Sequence, residues 1–237
     1  DVERLDAVNE SDQIMIATRH TNTSVNKGEK LLGTRVIPLV IKKEKMELVR
    51  KTAGEKPLCR LLPYRMKKAG IVTTGNEVFY GRIQDTFTPV VKNKLEQYGI
   101  QAEDHLTVGD EKEKITAAIR ELKARGCELI IATGGMSVDP DDQTPGAIRE
   151  AGTEVVTYGA PVLPGAMLCL AYFPDGTPVM GLPGCVMYAK ATIFDLLLPR
   201  VAAGIPISRK DITTLGHGGL CLGCPECHYP DCGFGKG

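Results

Sequence analysis

From residue 68 onward, short apolar runs alternate with segments whose apolar residues recur at helical spacing. In the clearest helical segment, Ile115, Ile119 and Leu122 repeat on one face, as an amphipathic helix requires. The pattern predicts strands over 69–73, 105–108, 129–132, 154–158 and 178–180, and helices over 86–98, 112–125, 144–151 and 186–201. Strands alternating with helices form right-handed crossovers. We therefore predict an α/β fold of three layers, a mostly parallel sheet flanked by helices.

The segments on either side of this α/β pattern have a different character. Apolar runs at 14–17 and 36–41 flank a polar stretch, a helix is predicted at 44–51, and another strand at 58–64. These features predict a small β-rich module. The expected division is a β-rich module at 1–66, an α/β domain at 67–205 and a cysteine-rich tail at 206–237.

Charge and hydropathy exclude several classes of protein. The 237 residues carry 29 Lys and Arg against 29 Asp and Glu, so no global field attracts nucleic acid or an anionic membrane. Apolar runs fall far short of the roughly 20 residues that span a bilayer. No signal-peptide pattern opens the sequence. We expect a cytoplasmic protein that has neither a nucleic-acid nor a membrane partner.

Three predicted strands end in turns of small residues. Because parallel strands bind ligands at their carboxyl edge, these turns are candidates for a shared site. Glycine lets backbone N–H groups approach an anion, and hydroxyls donate to phosphate oxygens. One such turn would be explained by chain geometry alone, whereas three favour a phosphate or pterin-phosphate site. The candidate binding residues are Thr74, Gly75, Asn76, Thr133, Gly134, Gly135, Met136, Ser137, Pro183, Gly184 and Cys185.

Acidic residues follow the same strand ends. They are Glu77, Asp85, Asp110, Asp139, Asp141 and Asp142, with Arg82 as the nearest cation that could clamp a phosphate. Taken singly, Asp85, Asp110 and Asp142 are explained as helix N-caps. As a set they resemble a Mg²⁺ site, which uses one or two carboxylates and takes further oxygens from substrate phosphates.

Residues from about 66 to 205 resemble the molybdopterin-binding domain of molybdenum-cofactor biosynthesis proteins, the MogA/MoeA/gephyrin type. The resemblance rests on the order and spacing of the motifs at 74–77, 81–85, 109–110, 133–137, 141–142, 164–165 and 181–184. It implies that the glycine turns and Asp85 hold the pterin and its terminal phosphate. It also implies that Ser137 belongs to the phosphate site and that Glu77, Asp110 and Asp142 serve the metal, molybdate or nucleotide chemistry.

Two departures from the family pattern bear on catalysis. The Asn-Pro that usually follows Leu-Pro-Gly is Cys185-Val186 here, and Leu163 and Ala166 replace two lysines beside Pro-Gly. Losing two cations weakens the case for anion insertion or adenylyl transfer more than the case for pterin binding. Cys185 has two interpretations: a thiolate activated by a helix N-terminus, or a small buried residue that fills the turn.

Four cysteines gather near the end of the chain. Cys221, Cys224, Cys227 and Cys232 are separated by gaps of two, two and four residues, a spacing typical of a metal site. Zinc would be tetrahedral, with His217 or His228 as substitute ligands. The spacing also lies near the bacterial ferredoxin pattern, so zinc and an iron–sulfur cluster both remain open. A redox disulfide pair is the alternative.

The sequence therefore predicts a molybdenum-cofactor biosynthesis protein that binds molybdopterin phosphate with Mg²⁺. As an enzyme it would be a transferase, catalysing molybdate insertion or adenylyl transfer from ATP. Glu77, Asp110 and Asp142 would act on the metal ions or the reacting phosphate, while amides at Gly75, Gly134, Gly135 and Gly184 stabilise negative charge. The alternative is a non-catalytic molybdopterin-binding or metal- and redox-sensing module. The resemblance implies a homo-oligomer, either a dimer or a trimer.

Overall fold

A computed structural model describes residues 1–136 and 142–237. These residues divide into two compact units, Asp1–Pro63 and Tyr64–Gly237. The second unit contains the predicted α/β domain, and the cysteine tail is part of it. None of the helices in the described ranges is long and apolar enough to cross a membrane.

The first unit contains two helices and a two-stranded antiparallel sheet: α1 (Val2–Asn9), β1 (Ile14–Thr18), β2 (Leu32–Val36) and α2 (Lys43–Ala53). Its helical share is larger than predicted, because α1 begins at an aspartate cap: the Asp1 side chain accepts a hydrogen bond from the Arg4 N–H at 3.2 Å. The strand predicted over 36–41 was misplaced, since β2 ends at Val36. Residues 58–64 form no strand.

The second unit is built around one six-stranded sheet. Its elements are β3 (Lys68–Thr74), α3 (Asn76–Phe79), α4 (Phe87–Glu96), β4 (Gln101–Val108), α5 (Lys112–Ala124), β5 (Leu129–Thr133), α6 (Thr144–Glu150), β6 (Glu154–Tyr158), β7 (Cys169–Tyr172), β8 (Pro178–Leu182), a 3-10 helix (Gly184–Met187), α7 (Ile193–Ala202) and α8 (Arg209–Thr214). The strand order is β4-β3-β5-β8-β7-β6. The first four strands are parallel, and only β7 runs against its neighbours. The predicted α/β class with a mostly parallel sheet is confirmed.

Alternate strand residues supply two hydrophobic cores, one on each face of the sheet. Ile71 belongs to the core that includes Phe194 of α7, whereas Val72 belongs to the core that includes Ile119 of α5. Both faces are therefore covered by helices, as expected for parallel strands that are apolar along their whole length. Burial of this kind contributes roughly 1.5–3 kcal/mol for each large side chain.

Two predictions within the α/β unit require correction. The single helix predicted over 186–201 is a 3-10 helix and a separate α7, because Thr192 and Asp195 form a capping box that starts a new helix at Ile193. Strand β7 was not predicted, since a four-residue run carries little periodic signal. The break at 188–192 leaves a loop beside the third glycine turn.

The cysteine tail packs on the α/β unit through apolar groups that its composition had not suggested. Phe234 is buried in the core that contains α7, and the Tyr229 hydroxyl donates a hydrogen bond to the Asp195 carbonyl at 2.7 Å. Gly235 lies against Leu196 so closely that an added Cβ would be 2.8 Å from Leu196 Cδ1. The tail is therefore attached to α7 on both sides of Cys232, through Tyr229 before it and Phe234 and Gly235 after it.

Candidate functional site

The first glycine turn connects β3 to α3 and positions an acidic residue from the next strand. Gly75 has a φ of +133°, a region that favours glycine, and its N–H donates to the Val108 carbonyl at 3.2 Å. The Asn76 N–H donates to Asp110 Oδ2 at 3.0 Å. Both amides are thus engaged within the protein. The Gly75 amide, predicted to stabilise ligand charge, is already paired, and this turn instead fixes Asp110.

The second glycine turn packs directly on the end of β3. Gly134 has a φ of +88°, and an added Cβ would collide with the Thr74 carbonyl oxygen and lie 2.6 Å from Thr74 Oγ1. An added Cβ on Gly135 would lie 2.8 Å from Thr144 Oγ1. The Thr144 hydroxyl donates to the Gly134 carbonyl at 2.9 Å. The ends of β3 and β5 and the start of α6 are therefore held together where only glycine fits.

Asp85 lies at the centre of a hydrogen-bond network that joins the end of β3 to the start of α4. Its carboxylate accepts bonds from the N–H groups of Phe87 and Thr88 at 2.9 and 3.0 Å, from the Thr88 hydroxyl at 2.6 Å and from the Thr73 hydroxyl at 3.2 Å. Burial acts to raise the pKa of Asp85, but the bonds from Thr88, Phe87 and Thr73 outweigh it and lower the pKa overall. Asp85 thus orders the start of α4 and holds it against the end of β3.

His105 joins the same network and was not foreseen as a site residue. Its Nε2 atom shares a hydrogen bond with Thr73 Oγ1 at 2.9 Å, and lies 3.6 Å from Asp85 Oδ2. Burial lowers the pKa of His105, opposing the attraction of Asp85, and Lys92 lowers it further. Neither His105 nor Thr73 carries a local sequence signal, because their meeting depends on the pairing of β3 with β4.

The third glycine turn follows β8 and meets the start of α4. Pro183 precedes the 3-10 helix, which begins at Gly184, and the Thr86 hydroxyl contacts Met187 Sδ at 3.5 Å. The Cys185 side chain lies in this helix, half-buried, and burial raises the pKa of its thiol. This favours the interpretation of Cys185 as a turn-filling residue over the activated thiolate.

Alkylation rates test this assignment of Cys185. With iodoacetamide near neutral pH, we expect Cys185 to react more slowly than the exposed Cys59, because the Cys185 thiol is half-buried and burial raises its pKa. Cys169, buried with a pKa raised to about 12, should be the slower reference. Peptide mass spectrometry over a time course gives the order. Faster labelling of Cys185 than of Cys59 would restore the thiolate interpretation.

The three acids predicted to be catalytic do not form one cluster. Glu77 and Asp110 are exposed at the ends of β3 and β4. They are linked because Asn76, which precedes Glu77, donates its N–H to Asp110. Asp142 lies near Tyr158 at the end of β6: burial first, and then the Asp142 charge, raise the pKa of the Tyr158 hydroxyl. Within residues 1–136 and 142–237, no three His, Cys, Asp or Glu side chains are arranged to hold a metal ion.

Two further predicted binding residues have different outcomes. The Met136 side chain is buried in the core that contains α5, against Gly181, where it serves packing. Ser137, predicted for the phosphate site, lies outside the described residues, as do Asp139 and Asp141.

Cations and aromatic rings surround the β3 end of the site. The Arg82 guanidinium lies 5.8 Å from the centre of the exposed Tyr80 ring, and Lys114 Nζ lies 5.9 Å from that of Phe79. Lys114 also pairs with Glu111 at 2.8 Å. The Phe79 and Tyr80 rings offer apolar faces next to a turn that ends a strand. Lys114 was not predicted here, because its helix was interpreted only through its apolar face.

The loop with the missing lysines is held by the tail. The Leu163 N–H donates to the Gly219 carbonyl, and the Cys221 N–H donates to the Leu163 carbonyl, both at 2.8 Å. Gly165, with a φ of +122°, lies against the start of α7, where an added Cβ would be 3.0 Å from the Ile193 N atom. The loop that carries cations in the family is thus an apolar loop paired with the residues that lead into the cysteines.

Comparison with known proteins agrees with this geometry. A family model described as a probable molybdopterin binding domain matches residues 70–203. CinA-like proteins of Citrifermentans bemidjiense and Geobacter sp. (strain M21) are 39% and 40% identical over 89 residues, covering 37% of this chain and 21% of each relative. The chain thus spans about a fifth of the length of these two curated relatives.

Among solved structures, the molybdopterin biosynthesis enzyme MoaB of Thermus thermophilus has the same fold. It superposes with a TM-score of 0.50 at 22% identity, and the match covers 60% of this chain and 99% of that one. The two proteins therefore share the arrangement of the sheet and its helices.

Proposed function

The chain belongs to the family of probable molybdopterin-binding domains, and we propose that it binds molybdopterin by its terminal phosphate at the carboxyl edge of the sheet. The observation that carries this proposal is the contact of the second turn with the end of β3, where Gly134 leaves no room for a side chain. A backbone that approaches this closely presents N–H groups rather than side chains to a ligand, which suits a phosphate.

The three turns divide the work of binding. Because the Gly75 and Asn76 N–H groups already donate to Val108 and Asp110, the phosphate would bind at the second and third turns. There the amides of Gly134, Gly135 and Gly184 would donate, together with Ser137. The buried Thr74 and Thr133 hydroxyls are bonded to Thr144 and Val72, so they would support the turns and leave the phosphate to the amides. The pterin would stack towards the exposed rings at the β3 end. Asp85, which accepts bonds from the Phe87 and Thr88 N–H groups, would order the start of α4 rather than contact the ligand.

Magnesium fits the donors present at the β3 and β4 ends. Mg²⁺ takes one or two carboxylates and completes its shell with water and substrate phosphates. Asp110, held by the Asn76 N–H, and the neighbouring Glu77 provide that set without a third protein acid. The ion would neutralise phosphate charge. Asp142, beside Tyr158, would then act on the opposite side of the ligand.

The proposed reaction is nucleotide transfer to molybdopterin phosphate or the molybdate insertion that follows it. In the transfer, a phosphate oxygen attacks the α-phosphorus of ATP, an O–P bond forms, and pyrophosphate leaves. Arg82, beside Tyr80 at the β3 end of the site, would supply positive charge in place of the two family lysines that are Leu163 and Ala166 here, with Lys114, which is paired with Glu111, as a second source. The eight free thiols fit a reducing, cytoplasmic location, and a dimer or trimer remains part of the proposal.

Turnover tests the enzymatic part of this proposal. With molybdopterin, ATP, Mg²⁺ and molybdate under anaerobic conditions, we expect pyrophosphate release that depends on molybdopterin. Asp110→Asn keeps the Asn76 contact but loses the charge, so pyrophosphate release should fall by about tenfold or more while pterin binding is retained. Asp104→Asn, at an acid paired with Lys68 and Arg125, is the matched control.

A non-catalytic binding or sensing module is the second candidate function. The pairing of Leu163 with the tail favours it, because a loop that lacks cations and is tied to a cysteine segment suits signalling better than anion insertion. Tight molybdopterin binding with neither pyrophosphate release nor molybdenum insertion would support this candidate and contradict the enzyme.

A further inference from the structure

We infer that the cysteine tail is a second ligand site, a metal centre held by the thiolates of Cys221, Cys224, Cys227 and Cys232. The proposal is independent of molybdopterin binding. Four cysteines within twelve residues far exceed what a loop needs for packing. Thiolates are ligands for zinc and for iron–sulfur clusters, so the shared chemistry is a thiophilic metal bound by sulfur.

The segment that carries the cysteines is fixed at both ends and free of regular structure between them. Before the first cysteine, Leu220 forms a β-bridge with Leu163. After the third, the Tyr229 hydroxyl binds the Asp195 carbonyl and Phe234 enters the core. Residues 221–237 contain neither helix nor strand. The chain thus contacts the rest of the second unit on each side of the short loop that carries Cys224 and Cys227.

The burial of the four thiols follows this arrangement. Cys221 and Cys232 are partly buried against the core that contains α7, whereas Cys224 and Cys227 are exposed. Two thiols are therefore held against the domain, and the other two lie on the exposed part of the loop. Gly223 has a φ of +63°, a region that favours glycine, and the chain bends at Pro225 and Glu226, between Cys224 and Cys227.

Packing alone does not account for this loop. Leu222, between the first two cysteines, is 83% exposed, and Leu220, directly before them, is 63% exposed, so neither leucine is used for burial. All eight cysteines of the chain are free thiols, and no ligand set is assembled in the described residues. Metal binding would draw the exposed thiols towards the anchored ones, each thiol giving its proton to solvent, and would supply the order that packing does not.

A backbone hydrogen bond of Cys221 would also connect the centre to the loop in which Leu163 and Ala166 replace the family lysines. The Cys221 N–H is bonded to the Leu163 carbonyl, so a metal held at Cys221 would fix the loop that precedes Gly165 and α7. The centre would then be structural for this loop, whether it held zinc or iron.

The test uses the full chain, purified anaerobically, and the double variant Cys224→Ala/Cys227→Ala. Cys59→Ala is the matched control, an exposed cysteine outside the tail. Iron, zinc and acid-labile sulfide are measured per chain, as purified and after two separate treatments: zinc alone, or ferrous iron with sulfide. We expect about one centre per chain in the wild type and the control, and about a tenth of that or less in the double variant.

Alkylation of the wild type is a second measurement, and it does not depend on how well the double variant folds. On the wild type, bound metal should slow alkylation of Cys224 and Cys227 by about tenfold or more, and a chelator should restore the rate. Iron with sulfide and visible absorption identifies a cluster, and zinc alone identifies a tetrahedral site. No retained metal after either treatment, equal metal in the double variant, or a disulfide among these four cysteines in the anaerobic protein would overturn the proposal.

Discussion

Gly134→Ala is expected to abolish high-affinity molybdopterin binding and to lower the free energy of unfolding by several kcal/mol. Gly134 has a φ of +88°, where an L side chain costs about 1–3 kcal/mol of backbone strain. The new Cβ would also collide with the Thr74 carbonyl, which is main chain in a buried strand and cannot rotate away. Overpacking of this kind costs a further ~1–3 kcal/mol. The turn must therefore move, taking the proposed phosphate-binding amides with it.

Gly152→Ala separates these two effects. Gly152 has a φ of +99°, but an added Cβ meets no atom within 4 Å. It therefore suffers strain without collision, and should bind molybdopterin as the wild type does. Urea unfolding and pterin fluorescence titrations of the two variants give the comparison. Equal stability and equal binding in both variants would show that the contact between Gly134 and Thr74 has no special importance.

Asp85→Ala is expected to be the second most damaging change, with a loss of about 2–4 kcal/mol in the free energy of unfolding. Removing an aspartate cap costs about 0.5–2 kcal/mol, and one buried hydroxyl left without its acceptor adds about 1–3 kcal/mol. Only one such hydroxyl is counted, because Thr73 keeps its contacts with Thr88 and His105 at 3.1 and 2.9 Å. Here the start of α4 loses its cap, and the Thr73 and Thr88 hydroxyls lose a shared partner. Asp175→Ala should have a much smaller effect. Asp175 is an exposed acid in the turn between β7 and β8, at the opposite end of β8 from the third glycine turn, and pairs with Lys123.

The dependence on pH gives this prediction a distinct sign. The folded pKa of Asp85 lies below the ordinary value of 3.8, so its contribution is complete above that value and is lost as the pH falls through the folded pKa. Because Asp85 also favours protonation of His105, 3.6 Å away, the comparison is made with His105→Gln in both proteins. The stability difference caused by Asp85→Ala should then be constant near neutral pH and shrink below about pH 4. A difference that grows on acidification would contradict the assignment of Asp85 as a stabilising, ionised cap.

The sequence was sufficient for the architecture because its strongest signals are local. The helix around Ile119 and the glycines that end β3, β5 and β8 are visible in short windows, and all lie where the pattern indicated. Boundaries failed where tertiary contacts decide them. Thr192 starts a new helix by bonding Asp195, which divides an apolar run that looks continuous in the sequence.

The candidate site was predictable in part, for a related reason. Parallel strands bring their carboxyl ends to one edge, so the turns could be grouped without knowing any contact. The partnership of Thr73 with His105 could not, because it depends on β3 and β4 lying side by side in one register, with Ile71 opposite His105. The engagement of the Gly75 amide and the remoteness of Asp142 from Asp110 likewise depend on geometry that spacing does not encode.

The central claim is that the carboxyl edge of this sheet binds molybdopterin through its terminal phosphate. The most direct measurement is an anaerobic fluorescence titration of the full chain with molybdopterin and with its dephosphorylated form. Charge-assisted hydrogen bonds to a phosphate contribute about 1.5–3 kcal/mol each, so the phosphorylated form should bind about tenfold or more tightly, and Gly134→Ala should remove that preference. No binding of molybdopterin, or equal affinity for the two forms, would contradict the account.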